Sequence, residues 1–298
     1  MKTEYATKLI MKNIADTDVT LTASPVMETK LPVTNLQLQE RDYVARSTST
    51  ADQSILGNLD NPRESIIDGI AMIGNYGASA TIRIRLYAGE NQTGVVIFDT
   101  GEQAVQTSVG WGDFIWAVDH FWAGGSVFDD TATNIFYFVF FDDPRFVSEG
   151  GEYQSFQIDV YDSGNPLGYH QFRRLFLGQV LSTRCNPNFG YSFGLVDPSL
   201  QKRDDAGGIH STVVSQYRKV KYTLEFMSED ERNTFFRAYR HCGKTKDVFL
   251  CMLTDNFVGD FNQQKYFDHA MPCKFTNDFI GTYQYFGEWQ HEFEFEEI

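Results

Sequence analysis

The chain has 298 residues, 42% hydrophobic and 22% charged, with 40 acids against 25 bases and a formal net charge of −15. This composition supports a folded core and excludes wholesale disorder. No basic run offsets the acids, which excludes a general nucleic-acid binder, because phosphate would be repelled.

Residues 1–20 are polar and read as an irregular N-terminal arm. They contain no apolar h-region and no cleavage site, so no signal peptide is expected. No apolar run approaches the ~18 residues of a membrane helix, so no membrane insertion is expected. "LTASPVMETKLPVTNLQLQERDYVARSTSTADQSILGNLDNPRES" holds prolines without a helical period and reads as short surface strands and loops. "ESIIDGIAMIG" predicts a buried strand around Ile66, Ile67, Ile70 and Met72. "ASATIRIRLYAG" alternates Ile82, Ile84 and Leu86 with Arg83 and Arg85, the period of a strand with one dry face and one wet face. "GVVIFDTG", "NIFYFVFFDDP" and "SFQIDVYDSGNP" predict further strands; in the last, Phe156, Ile158 and Val160 share a side. The turn cluster from Asp162 to Pro166 marks a candidate domain boundary. Short strands with regular turn signals predict a jelly-roll β-sandwich over 21–165.

The remainder, 166–298, predicts a second mainly β domain carrying one helix. "CNPNFGYSFGLVDPSLQKRDDAGGIH" reads as a loop rich in Gly, Asn, Asp and Ser. "RKVKYTLEFM" puts Val220, Tyr222, Leu224 and Phe226 on one side. Ser228 to Glu231 forms a capping box, which predicts a helix over 229–241 with Phe235, Phe236 and Tyr239 as its apolar stripe and Gly243 closing it. "DVFLCML", "AMPCKFTNDF" and "YQYFGEWQHEFEFEEI" follow as strands.

No catalytic motif emerges. Walker, G-x-G-x-x-G, G-x-S-x-G and H-E-x-x-H patterns are missing from the sequence. The six histidines are scattered singly, and "GGIHST" at 207–212 has no identifiable partner. Paired acids (Asp129-Asp130, Asp142-Asp143, Asp204-Asp205, Glu296-Glu297) suit calcium or glycosidase chemistry but read more simply as solvated loops. Cys185, Cys242, Cys251 and Cys273 lack metal-site spacing and read as reduced, buried thiols. No catalytic residue, cofactor or metal is expected. Two candidate contact groups stand out. Trp111, Trp116 and Trp122 lie in one glycine-punctuated stretch with Phe114 and Phe121, suited to stacking on sugar rings or to a subunit contact. Arg83 and Arg85 on the wet face suit either a solvated strand face or bidentate contacts with an acidic protein neighbour.

The order of these signals resembles the galactose-binding-like jelly roll of tail proteins from tailed bacteriophages. The residues that carry the resemblance are Pro32, Asn35 and Leu36 in "P-x-x-N-L", Asn75 in the turn, and Ala80, Arg83, Arg85 and Tyr87 in the following strand. "FRRLFLGQV" and the segment from "GGIHST" through "DVFLCM" are similar to the second domain of such proteins and to the β-sandwich belt of distal tail proteins. The resemblance implies a non-enzymatic virion component, assembled in the host cytoplasm into a homo-oligomeric ring, a hexamer or a trimer. Its implied partners are copies of itself and tail-tube, tape-measure and tip proteins. It supplies no alignable sugar site. The alternative expectation is a carbohydrate-binding module for host-surface glycan, centred on the three tryptophans.

Overall fold

The computed structural model describes residues 7–40, 42–62, 65–77, 79–105, 135–141, 147–148, 152–184, 187–188, 190–204, 208–212, 214–252 and 269–298. The protein is mainly β. In chain order the first strands are β1 (Lys8–Ile10), β2 (Val19–Ser24), β3 (Ala45–Arg46), β4 (Gln53–Leu59), β5 (Gly69–Asn75), β6 (Thr81–Tyr87) and β7 (Val96–Asp99). Then come β8 (Gln103–Ala104), β9 (Ile135–Phe140), β10 (Val147–Ser148), β11 (Ser155–Tyr161), β12 (Gln171–Gly178), β13 (Val180–Ser182) and β14 (Ser192–Val196). The last are β15 (Leu200–Arg203), β16 (Ile209–Thr212), β17 (Tyr217–Ser228), the helix α1 (Glu229–Cys242), β18 (Val248–Cys251), β19 (Ala270–Phe275), β20 (Thr282–Tyr285) and β21 (Glu288–Glu297).

The described residues fall into two compact units. One takes 13–180; the other takes those within 1–12, 181–256 and 269–298. The first unit is an antiparallel jelly-roll sandwich. One sheet runs β10-β7-β6-β11-β4-β2 with β8 also on β6, and the facing sheet runs β3-β12-β5-β9. Strand alternation supplies the core: Ile82, Ile84, Leu86, Phe156, Ile158 and Val160 from one sheet pack in the same cluster as Ile70, Met72, Val139, Phe172, Leu175 and Leu177 from the other. Ile67 joins this core, whereas Ile66, expected beside it, is exposed because the strand begins only at Gly69. Gly57 on β4 faces the Phe156 ring so closely that any Cβ there would collide with it.

The outer side of β12 is closed by two 3-10 turns, Ile14–Asp16 and Val33–Gln37. Arg174 is buried beneath them. Its guanidinium donates to both oxygens of Asp16 at 2.7 and 2.8 Å and to the Leu36 carbonyl at 3.3 Å. Asn13 adds a second clamp, donating to the Leu175 carbonyl at 2.8 Å and accepting from the Leu177 N–H at 2.9 Å.

Both expected boundaries shift. The Asp162–Pro166 cluster is no linker: Asp162 and Asn165 are buried, bonding the Gly77 N–H at 2.8 Å and the Asn75 carbonyl at 3.0 Å. The same turn chemistry serves a crossing from β11 in one sheet to β12 in the other, so the first unit continues to 180. The expected N-terminal arm contains β1, buried throughout, which pairs with β18 in the second unit. Its partner lies some 240 residues away, where no local pattern can show it.

The second unit is built on one antiparallel sheet, β13-β1-β18-β19-β21-β17-β14, with β20 beside β21. Tyr222, Phe275, Phe293 and Phe295 fill its core, with Phe275 and Phe295 ring centres 4.5 Å apart. The capping box forms as expected, and the Gly243 N–H closes α1 on the Tyr239 carbonyl at φ 53°. Phe235 enters the core, but Phe236 turns outward. Phe226 also departs from its expected inward phase. A bulge between Leu224 and Met227 shifts the register, so Met227 points inward while Phe226 is exposed at φ 60°. Cys242, Cys251 and Cys273 are buried free thiols; Cys185 lies outside the described residues. The expected loop at 185–210 contains β14, β15 and the start of β16, the latter two forming a ribbon paired only with each other. Among the described residues no helix is long and apolar enough to cross a membrane.

Replacing Gly57 by Ala forces the Phe156 ring from its site. Thermal or urea unfolding will read a loss of about 1–3 kcal/mol. Adding Phe156→Leu should recover part of it; an unchanged midpoint for Gly57→Ala alone would contradict this packing.

Candidate functional site

Arg83 and Arg85 project from the outer face of the β6 sheet, and both are engaged within the unit. Arg83 forms a fork on Asp99, with Nε to Oδ1 at 2.9 Å and Nη2 to Oδ2 at 2.5 Å. Arg85 Nη2 donates to Asp159 Oδ2 at 2.5 Å. The Asp159 side chain is only 5% exposed, so its charge needs donors; Ser54 Oγ and Gln157 Nε2 supply Oδ1 at 2.6 and 2.7 Å. Tyr87 lies beneath the Arg85 guanidinium and donates to Gln157 Oε1 at 3.2 Å. The arginine fork, with the Gly101 N–H, holds the Asp99 carboxyl below its ordinary range against the opposing effect of burial.

The other residues of the resemblance are also framework. Pro32 precedes the second 3-10 turn, Asn35 donates to the Val44 carbonyl at 2.8 Å, and Leu36 and Ala80 are buried. Trp111, Trp116 and Trp122, with Phe114 and Phe121, lie outside the described residues.

The remaining chemical candidates are placed as follows. His170 and His291 are buried, each bonded to a backbone carbonyl, at 2.9 Å to Ala51 and 3.0 Å to Ile280; burial pulls the His291 pKa down. His210 and Ser211 are consecutive residues on the exposed strand β16, so they point to opposite faces. His120, Asp129-Asp130 and Asp142-Asp143 lie outside the described residues. Glu296 and Glu297 belong to cross-strand pairs with Lys219 and Arg218. Among the described residues no group of His, Cys, Asp and Glu gathers to hold a metal. A cleft of about 10 Å³ lined by Thr183, Leu224, Glu225, Phe226, Met227 and Glu231 has room for about one water.

Two surfaces of the second unit lie outside the sequence expectations. The first is aromatic. Arg232 on α1 lies over the rings of Trp289 and Phe236, 4.5 and 5.7 Å from their centres, and donates to Asn233 Oδ1 at 2.8 Å. Tyr283 meets the Trp289 ring edge-on at 5.2 Å. Ile280, Tyr283 and Phe286 project into solvent around it, Phe286 fully. Arg232 makes no ion pair with a described residue. The second surface is the base of the ribbon. Leu195 and Leu200, 62% and 72% exposed, flank Asp197, with the exposed Val214 beside them. The Asp197 carboxylate accepts from the Ser199 N–H at 2.9 Å and Gln216 Nε2 at 3.0 Å. Ser199 Oγ in turn accepts from the Val214 N–H at 3.0 Å. Asp197 also has no cationic partner among the described residues. Composition alone could have suggested the Trp289 segment, but only the β17–β21 register and α1 bring its partners together.

No family model matches the sequence. No curated protein matches it either. Among solved structures the chain is similar to CpGH89CBM32-4 of Clostridium perfringens, with 10% identity and a TM-score of 0.30 over 56% of this chain and 99% of that one. It is also similar to the N-terminal domain of the single-strand break repair protein XRCC1, with 9% identity and a TM-score of 0.32 over 58% of this chain and 99% of that one. Both are jelly-roll folds. At such values neither likeness transfers a function.

The two arginine pairs should separate in energy. Arg85→Ala strips a donor from a buried carboxylate and should cost about 1.5–3 kcal/mol in urea unfolding. Arg83→Ala opens a partly exposed pair worth up to about 1 kcal/mol. The Asp99 carboxyl is depressed on folding, so its contribution is present above the unfolded carboxylate pKa, about 3.9. It is lost as pH falls through the folded value. The stability gap between wild type and Asp99→Asn should therefore hold at neutral pH and close in acid; a gap that widens below pH 4 would contradict the assignment.

Proposed function

We propose that this chain is a non-enzymatic structural protein of a tailed-bacteriophage tail tip, a distal-tail-like component that assembles with copies of itself into a ring between tail tube and tip. The observation that carries the reading is the contrast between the two kinds of surface on the chain. Charges on the described sheet faces are largely paired internally, whereas the second unit exposes Tyr283, Phe286, Leu195 and Leu200 on the segments that carry Arg232, Trp289 and Asp197, the two charges having no ionic partner among the described residues. Aromatic side chains and arginine at a desolvating patch are the usual anchors of protein contacts. The sequence resemblance at Pro32, Asn35, Leu36, Arg83, Arg85 and Tyr87 supplies the phage-tail setting. The net negative charge keeps free subunits soluble before assembly. Arg83 and Arg85, bonded to Asp99 and Asp159, act in this reading as framework of the jelly roll.

The jelly-roll fold and the tryptophans of segment 111–122 favour a second reading, a carbohydrate-binding module for host-surface glycan.

Mass photometry and negative-stain imaging of the purified chain test the first reading. Concentration-dependent closed rings are expected; a monomer at every concentration, and absence from virions, would overturn it. Glycan-array binding that disappears in Trp116→Ala would move the conclusion to the second reading.

A further inference from the structure

Asp197 and Arg232, each without an ionic partner among the described residues, lie near opposite ends of one strand. β14 pairs with the start of β17, Val196 opposite Tyr217, and the ribbon occupies the chain between those two residues. Asp197 therefore lies at the beginning of β17. The aromatic surface lies at the other end, where Met227 and Ser228 pair with Trp289 and Glu288, and α1 with Arg232 follows directly. β17 has 12 residues. At about 3.3 Å per residue, the two ends are roughly 35–40 Å apart. One copy cannot bring its own Asp197 to its own Arg232.

Each charge is held in place. The Arg232 guanidinium lies over the Trp289 and Phe236 rings, and the Asp197 carboxylate is fixed by Ser199 and Gln216. Exposed apolar side chains lie on the same chain segments: Phe236, Ile280, Tyr283 and Phe286 at one end, Leu195, Leu200 and Val214 at the other. The Arg232 guanidinium meets no carboxylate among the described residues, in a chain with 40 acids and 25 bases. The complementary surface, a fixed carboxylate among leucines, is carried by the same chain.

We propose that the second unit associates head to tail, the Leu195–Asp197–Leu200 surface of one copy docking on the Arg232–Trp289 surface of the next, with Asp197 paired to Arg232 across the interface. The occupant of the aromatic surface is thus a second copy of this chain. The contact joins two different patches, so it is heterologous; it closes as a ring or extends as a filament according to the rotation between copies. This rests on the self-assembly reading and specifies its interface. The pair becomes desolvated as the apolar rims close, which is the setting in which an interfacial charge pair gains most over water.

Charge reversal tests it. Arg232→Glu and Asp197→Lys, each alone, should raise the concentration needed for association by at least about tenfold, as expected for a like-charge contact in place of an ion pair. The double variant Arg232→Glu/Asp197→Lys should assemble again, and so should a 1:1 mixture of the two single variants, because each lysine then meets a glutamate. Circular dichroism and thermal melting confirm that every variant is folded. Single variants that assemble like wild type would overturn the interface while leaving self-assembly intact, as would folded single variants that lose assembly without rescue. A wild-type chain monomeric at every concentration would overturn the self-assembly reading instead. Phe286→Ser and Leu200→Ser, which keep both charges, should each weaken association; if neither does, the apolar rims play no part and the proposal fails.

Discussion

The carboxylate of Asp159 fixes the register of the jelly roll's larger sheet. It sits on the central strand of the larger sheet, almost out of water, and receives donors from both neighbours: Ser54 on β4 and Arg85 on β6. A strand can slip by one residue only by exchanging its faces. Here such a slip of β11 would drive a carboxylate into the cluster of Ile84, Phe156 and Ile158, away from every donor that now surrounds it. The apolar face and the buried charge therefore specify the same register from opposite sides of the sheet. Gly57 adds a steric condition on the same strand pair, since only a residue without Cβ fits opposite the Phe156 ring.

The second unit uses a different arrangement. Its long β17–β21 pair carries an aromatic core on one face and alternating charges on the other, Lys219 against Glu294 and Glu296, and Lys221 against Glu292. Those glutamates lift the Lys219 and Lys221 pKa values through their hydrogen bonds. The pairs are in contact with water and add little stability individually. Their effect is to balance the charge along most of the ladder. Against that balance, Asp197 and Arg232 have no counter-charge among the described residues.

Elements with strong alternation were legible in the sequence. β6, β11, β17 and α1 appear where residue periodicity and the capping box put them. What failed depended on pairing over distance. The wet face of β6 showed two arginines, but not that Asp99 and Asp159 stand beside them after 16 and 74 further residues. Phe226 was misread because a bulge leaves no mark in a binary pattern. The ribbon was hidden by its composition, since Gly, Asp and Ser suit an irregular loop as well as a two-stranded excursion. Trp289 was missed for a related reason: its setting comes from a helix more than fifty residues earlier.

The placement of β1 also has a bearing on biosynthesis. Lys8–Ile10 is synthesised well before Val248–Cys251, the strand it pairs with. The described residues of the first unit are synthesised between them. That unit contains its own core, and Asn13 is fastened to Leu175 and Leu177. It can fold as soon as those residues are available and thereby hold the two ends of its chain together. A three-residue strand that would otherwise search a long, flexible loop is delivered near the polypeptide that will receive it, with the closure entropy already spent in folding another domain. The jelly roll is thus an internal guide for the late assembly of the sheet that follows it.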